Sequence, residues 1–165
     1  MRKLIVLFIS ALIMTVSVPS FANAPTMSAG VAEGYSVVFK NGVNSGAVNT
    51  RLHIIVGQKI ADRLSLSVLI GVLTDNTVFK PMPRAAIMAN MSLTDKAGIS
   101  VAGLFQFNYD YGHGGFKNTH SISLGFAPTY KLSDQLTGAL FVSVGKTLGD
   151  ESWIMAFQPG VTYRF

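Results

Sequence analysis

The sequence has no cysteine among its 165 residues. A disulfide framework, a thiolate nucleophile and a zinc site built on cysteine are therefore excluded. The three histidines stand apart from clustered acids, and no phosphate-binding loop motif is present. We therefore expect neither a metal site nor a bound cofactor.

Charge is also scarce. Charged residues make up 13% of the chain and hydrophobic residues 49%, with a mean hydropathy of +0.41. Ordinary soluble domains carry about 25% charged residues, and disordered chains combine high charge with few apolar residues. The composition fits neither class, and the length suits one domain.

The first 24 residues have the pattern of a secretory signal peptide. A basic start at Arg2 and Lys3 precedes an apolar run over 4–14, and small residues follow up to Ala24. Cleavage after Ala22 is preferred to cleavage after Ala24, since the latter leaves a proline beside the scissile bond. We thus expect a signal peptide over 1–22 and one domain over 23–165. An uncleaved anchor is the alternative, although the run is short for a membrane span.

Loss of the leader also lowers the positive charge. The mature chain keeps 11 basic and 8 acidic residues. A net charge this small, on an exported chain, gives no reason to expect a nucleic-acid partner.

Beyond the leader, apolar and polar residues alternate with the period of two that marks β-strands. The clearest runs are 99–111 and 153–165. The same pattern predicts eight strands, over about 30–40, 51–60, 64–73, 84–93, 99–111, 121–131, 136–145 and 153–165. In the first of these, Glu33 falls on the apolar face.

The connections alternate in length. Segments 60–64, 93–97 and 132–136 share the order apolar, small, Asp, polar, apolar, and we expect the aspartate to cap each turn. The other connections, 41–48, 74–83, 112–119 and 147–152, are longer. Short turns at one end and longer loops at the other are typical of an up-and-down outer-membrane β-barrel.

The composition of the two faces indicates which one meets lipid. One face is bulky and apolar, whereas the other is mostly Gly, Ala, Ser and Thr, which suits a narrow lumen. A soluble lipocalin-like barrel would instead need a charged outer face. We therefore predict an all-β fold, an eight-stranded antiparallel up-and-down transmembrane β-barrel.

Aromatic residues and prolines refine this prediction. We expect an aromatic girdle at each end of the barrel, formed by Tyr109, Tyr111 and Trp153 at the loop end and by Tyr130, Tyr163 and Phe165 at the turn end. Pro128 and Pro159 lack ladder donors, so we expect local bulges there.

The last strand resembles the closing strand of small bacterial outer-membrane proteins of the OmpX/Ail and OmpA-barrel type. Val161, Tyr163 and Phe165 carry the resemblance, Pro159 departs from the pattern, and 125–134 resembles a strand and turn of the same proteins. The resemblance implies a bacterial outer-membrane location. It also implies that the barrel-assembly machinery reads Val161, Tyr163 and Phe165.

Two sets of inward residues are candidates for a site. Arg51, His53, Arg84 and Asp110 could converge near the loop end, either as a gate for a small solute or as a structural plug of paired charges. At the middle, inward apolar residues form either a packed core or a pocket for an acyl chain. These are Ile55, Leu69, Met88, Leu104 and Phe141.

Basic residues stand near both ends. Lys80, Arg84, Lys117 and Lys146 at the loop end could contact the phosphates of lipopolysaccharide, or could be solvated rim charges. At the turn end, Lys59, Lys131 and Arg164 have Asp62, Asp95 and Asp134 as nearby acids. We expect outer-membrane lipid and lipopolysaccharide as partners, while the sequence leaves a surface partner open.

A catalytic pair is not evident. His120 and Ser121 are adjacent in a strand, so their side chains point to opposite faces. We therefore expect a non-enzymatic barrel with a structural or surface-interaction role. A small porin-like channel or a barrel that binds lipid or another hydrophobic ligand is the alternative. An enzyme that modifies lipid A is less favoured.

Overall fold

A computed structural model of the chain describes residues 24–40, 42–76, 80–108, 119–149 and 152–165. The signal peptide predicted over 1–22 and the residues Tyr109, Asp110, Tyr111 and Lys117 lie outside these ranges. Within the described residues, no helix has the length and apolarity that a membrane span requires.

Eight antiparallel strands close into a single barrel, in which each strand pairs with its sequence neighbours and β1 pairs with β8. The strands are β1 (Thr26–Lys40), β2 (Val43–Ala61), β3 (Leu64–Asp75), β4 (Lys80–Ser92), β5 (Ala97–Asn108), β6 (Thr119–Lys131), β7 (Leu136–Leu148) and β8 (Trp153–Arg164). The predicted fold class is thereby confirmed.

The strand register fixes the shape of the barrel. The path of paired residues runs from Ser28 through Ile55, Leu69, Ala86, Leu104, Ser123, Gly145 and Ile154, and returns to β1 at Val38. The return point is ten residues beyond the start, so the shear is ten residues. With a rise of about 3.3 Å per residue and a strand spacing of about 4.8 Å, the strands tilt about 40° from the barrel axis.

Side chains divide between the two faces as the alternation predicts. The largest outward side chains are open to the surroundings, with Leu124 73%, Ile70 62% and Leu52 61% exposed. The inward positions form a core of mostly small and medium side chains. Its members are Leu69, Ala86, Met88, Ala102, Leu104, Ala127 and Phe141, with Ile55 packed against them.

The exposed apolar surface has the height of a bilayer core. Trp153 and Tyr163 both point outward on β8 and stand ten residues apart. At the tilt given above, ten residues span about 25 Å along the axis, which is the height of the apolar band of outer-membrane barrels. Gln158 lies midway between them and points inward, so it marks the middle level of the barrel.

Three of the predicted connections are shorter than expected because the strands continue into them. β1 ends at Lys40 and β2 begins at Val43, and Gly42 has a φ of 79°. β4 begins at Lys80, and its residues Pro81 and Pro83 are exposed near the loop end of the strand. Gly149, with a φ of 100°, ends β7. Positive φ values of this size favour glycine.

The bulges predicted at Pro128 and Pro159 are wrong. The register between β5 and β6 continues through Pro128, and the register between β7 and β8 continues through Pro159. On the other side of each proline the pairing is interrupted, at 127–128 toward β7 and at 158–159 toward β1, but the register is the same before and after the gap. A proline removes one donor from the ladder, but strands held on both sides by a closed barrel keep their register. The register instead shifts near Ile60, between Lys59 and Ala61.

The turn caps also differ from the prediction. In the β4–β5 turn, Thr94 Oγ1 accepts hydrogen bonds from the backbone N–H groups of Lys96 and Ala97. In the β6–β7 turn, Ser133 Oγ accepts from Gln135 and Leu136 in the same way. In these two turns the hydroxyl residue before the aspartate therefore provides the cap, and Asp134 pairs with Lys131.

Replacement of Leu124 by arginine tests the outward face. Leu124→Arg places a charge near the middle level of the apolar band, and we expect a loss of about 2–4 kcal/mol in the free energy of unfolding from vesicles. Leu93→Arg in the β4–β5 turn is the matched control, with an expected loss of about 0–1 kcal/mol. Denaturant unfolding, followed by the gel mobility of unheated samples, measures both. Equal losses would contradict a lipid-facing Leu124.

Candidate functional site

The structure brings Arg51, His53 and Arg84 together in the lumen, where each is no more than 6% exposed. They lie at the middle level, not near the loop end. β2 continues eight residues beyond Arg51 to Val43, and β4 continues four residues beyond Arg84 to Lys80. Asp110, the fourth member of the predicted cluster, lies outside the described residues.

Arg51, Arg84, Phe141 and Gln158 form a layer across the lumen, here called the arginine layer. The guanidinium carbons of Arg51 and Arg84 lie 5.0 and 5.9 Å from the centroid of the Phe141 ring. Arg84 Nη1 donates to Gln158 Oε1 at 3.5 Å. Two cations therefore contact one aromatic ring, an arrangement that cation–π attraction stabilises against their mutual repulsion.

The ring of Phe141 fits because β6 has a glycine opposite it. A Cβ atom added to Gly125 would collide with the Phe141 ring and would also touch Leu104. Phe141 is 5% exposed and belongs to the apolar core, together with Leu104 and Met88. The lumen is therefore filled at its middle level by one large ring.

A cavity lies on each side of the arginine layer. The turn-end cavity has a volume of about 260 Å³, and Arg51, His53, Asn90 and Thr162 are among its lining residues. The loop-end cavity has a volume of about 400 Å³, and its lining includes Arg84, Gln158 and Asp75. The arginine layer thus separates two cavities, each of which a small solute could occupy.

His53 is the described histidine that faces a hydroxyl group. Its Nε2 lies 3.4 Å from Thr162 Oγ1, a contact that the sequence analysis did not anticipate, while its Nδ1 is buried without a partner. A histidine that acts as a general base needs a third group to orient it, and among the described residues none bonds to His53 Nδ1.

His120 lies on the outer face, between the rings of Phe105 and Phe107. The described residues contain no group of three or more potential metal ligands.

The turn-end charges form exposed ion pairs. Lys59 Nζ lies 3.4 Å from Asp62 Oδ1, and Lys131 Nζ lies 2.8 Å from Asp134 Oδ1. The hydrogen bond from Lys131, and then its charge, hold the pKa of the Asp134 carboxyl below its usual value. These pairs are solvated rim charges.

Among the basic residues predicted at the loop end, Arg84 is buried in the lumen and cannot reach a lipid headgroup. Lys146 points outward and is exposed, opposite Trp153. The β1–β2 hairpin carries Lys40 to a level about 6 Å beyond Trp153. Lys146 therefore faces the surroundings, whereas Lys40 is exposed at the loop-end rim and continues the lumen-facing alternation of Ser36 and Val38.

The predicted aromatic and C-terminal residues point outward. Trp153 is 52% exposed at the loop end, beside Phe39 of β1, and Tyr130 is exposed at the turn end. Val161, Tyr163 and Phe165 share the outer face of β8, and the Tyr163 and Phe165 rings meet edge to face at 5.6 Å.

A polar stripe interrupts the outer face at β1–β3. Glu33 is exposed on the outward face, and its Oε1 accepts a hydrogen bond from Asn76 Nδ2 at 3.4 Å. Thr50 Oγ1 donates to Asn76 Oδ1 at 3.1 Å. The carboxylate therefore reaches from the middle level toward the loop end, as charged side chains near a membrane interface do.

Neither a protein-family model nor a curated protein sequence matches the chain. Several solved structures, by contrast, align with the chain. Neisserial surface protein A aligns with a TM-score of 0.55 and 11% identity, over 87% of this chain and all of that one. Ail of Yersinia pestis, in complex with the heparin analogue sucrose octasulfate, aligns with a TM-score of 0.55 and 11% identity, over 86% and 97%.

The N-terminal β-barrel domain of Pseudomonas aeruginosa OprF aligns with a TM-score of 0.52 and 13% identity, over 84% of this chain and 97% of that one. At these identities the likeness shows the fold alone. The chain has the fold of the eight-stranded outer-membrane β-barrels of the OmpX/Ail/NspA/OmpA type, as the resemblance of its last strand implied.

Replacement of Gly125 by alanine tests the packing of the arginine layer. The added methyl group collides with the Phe141 ring, and we expect Gly125→Ala to lower the free energy of unfolding by about 1–3 kcal/mol. Gly103→Ala is the control, since its added methyl group meets nothing within 4 Å, and we expect no loss of stability. Denaturant unfolding in vesicles measures both. The double variant Gly125→Ala/Phe141→Leu should recover stability, and a failure to recover would contradict a clash with the ring.

Proposed function

We propose that this chain is a non-enzymatic outer-membrane β-barrel that interacts through its loop-end surface, and that this surface binds the phosphate groups of lipopolysaccharide. The leader over 1–22 would export it, and the assembly machinery would read Val161, Tyr163 and Phe165. The alignment with a surface protein of Neisseria supports a location at the cell surface.

The observation that carries this proposal is the contrast between a lumen divided by the arginine layer and basic side chains exposed at the loop-end rim. The arginine layer lies at the middle level, whereas Lys146 extends outward and Lys40 is exposed at the rim, at the level where a bilayer ends. Phosphate groups favour basic partners, and lipopolysaccharide presents its phosphates at that level. An interaction at the rim needs no movement of the barrel.

The lysines at the two ends provide a matched test. The variant Lys40→Gln/Lys146→Gln removes two loop-end charges, and we expect its affinity for lipopolysaccharide in detergent micelles to fall roughly 3–10-fold, which corresponds to about 0.7–1.4 kcal/mol. The variant Lys59→Gln/Lys131→Gln removes two turn-end charges and should bind as the wild type does. Native gel migration with lipopolysaccharide, and with its dephosphorylated form, measures both. Equal losses in the two variants, or equal binding of the dephosphorylated form, would contradict the proposal.

A small channel is the second candidate function, and the two cavities are the observation that favours it. They lie on opposite sides of a single layer, so displacement of that layer would join cavities of about 260 and about 400 Å³. In the structure the arginine layer lies between the two cavities.

Truncation of Phe141 should open this passage. We expect Phe141→Ala to give steady conductance steps in planar bilayers, because it removes the one large ring at the middle level, while the wild-type barrel stays silent. Phe126→Ala on the outer face, where Phe126 is 47% exposed, is the matched control and should also stay silent. Discrete steps from the wild-type barrel would favour the channel as its function. Silence from a folded Phe141→Ala barrel would contradict a closure made by that ring.

A further inference from the structure

The arginine layer and its neighbour His53 contain more hydrogen-bond donors than the wall of the lumen satisfies. Arg51 Nε, Arg84 Nε, Gln158 Nε2 and His53 Nδ1 are buried nitrogens without a hydrogen-bond partner. Gln158 is fully buried, and the other three residues are no more than 6% exposed. Buried polar groups are normally paired, so four unpaired nitrogens at one level need an explanation.

Among the described residues, no carboxylate is ion-paired with either guanidinium group. Both lie within 6 Å of the Phe141 ring centroid, so their carbons are less than 11 Å apart. The ion pairs found among the described residues, at the turn-end rim, do not involve them. Asp75 faces the loop-end cavity about 13 Å along β3 from Gly71, the residue opposite Arg84. Buried charges are costly unless they are paired.

The four residues stand where one ligand could meet all of them. The register and the strand tilt place Arg51, His53, Arg84 and Gln158 within about 6 Å of one another along the barrel axis. Arg51 and His53 line the turn-end cavity, and Arg84 and Gln158 line the loop-end cavity. A ligand between the arginines is thus within reach of both cavities, which are large enough to admit a small hydrated ion.

We propose that Arg51 and Arg84, with His53 and Gln158, form an internal binding site for one small oxyanion, of the class of inorganic phosphate or sulfate, at the middle of the barrel. Guanidinium groups bind such oxyanions through paired, charge-assisted hydrogen bonds. The anion neutralises the repulsion between the two arginines and accepts from the nitrogens that the wall leaves unpaired. The site is independent of the loop-end surface, because none of its residues reaches the rim.

Binding is tested on the complete mature chain, refolded in detergent micelles. Equilibrium dialysis with labelled phosphate at constant ionic strength should show one phosphate per folded barrel. We expect Arg51→Gln/Arg84→Gln to abolish this binding and Arg51→Lys/Arg84→Lys to weaken it about tenfold, since lysine keeps the charge but loses the paired geometry. Lys59→Gln/Lys131→Gln removes two charges at the rim and should bind as the wild type does.

Stability provides a second readout. We expect saturating sulfate to raise the temperature at which the unheated gel form is lost by about 5 °C over chloride of equal ionic strength. This rise should vanish in Arg51→Gln/Arg84→Gln. In chloride alone that variant should be at least as stable as the wild type, since it removes two buried like charges. If the arginines acted only as packing for Phe141, the variant would be less stable in both salts.

Three results would overturn the proposal. The first is equal phosphate binding by Arg51→Gln/Arg84→Gln and the wild type. The second is no difference between sulfate and chloride in the wild type. The third concerns Asp110, which lies outside the described residues: if oxyanion binding arises only in Asp110→Asn, then that carboxylate already neutralises the arginines. The outcome of the lipopolysaccharide test with the loop-end lysine variant does not change any of these three results. Either proposal can therefore fail while the other holds.

Discussion

The pairing of every strand with two neighbours is the constraint on which the other features of this chain depend. In an apolar surrounding, an unpaired backbone N–H or C=O group costs several kcal/mol, so a sheet with an apolar outer face must close. Here β1 closes against β8, from Ser28 opposite Arg164 to Phe39 opposite Trp153. Eight strands leave a lumen only wide enough for side chains. Inward positions are therefore mostly small, and one ring is enough to fill the middle level.

This narrow lumen also decides what its long polar side chains can do. In a wide pore, two arginines could each be solvated separately. Here Arg51 and Arg84 come from strands separated by β3 and still share the Phe141 ring, because the opposite wall is close. Gln158, from the far side, contacts Arg84 at the same level. The geometry of the arginine layer is thus a consequence of strand number and shear, and not of any local sequence motif.

The sequence predicted the faces of the strands better than their levels. Alternation is a local property, so it assigned Leu124 to the outer face and Phe141 to the lumen. The level of a residue along the barrel axis depends on the shear and on where the strands end. Neither can be predicted from the alternation within one strand. Arg51 and Arg84 were therefore expected too near the loop end. The hydrogen bond between His53 and Thr162 was missed for a similar reason, since it crosses from β2 over β1 to β8.

The position of the acidic residue Glu33 bears on the role of the arginine layer. Ala32 lies opposite Arg51, so the next residue, Glu33, stands at nearly the same level. Its side chain leaves from the outer face and bonds to Asn76, and the sheet separates it from the guanidinium groups. In the described strands, the inner wall of the barrel thus supplies hydrogen-bond donors at the middle level. The carboxylate of Glu33, at nearly the same level, lies on the outer face. A small anion at this level supplies the negative charge and the hydrogen-bond acceptors that the described wall does not. Since a cavity adjoins the layer on each side, that anion can exchange without any strand leaving its partners.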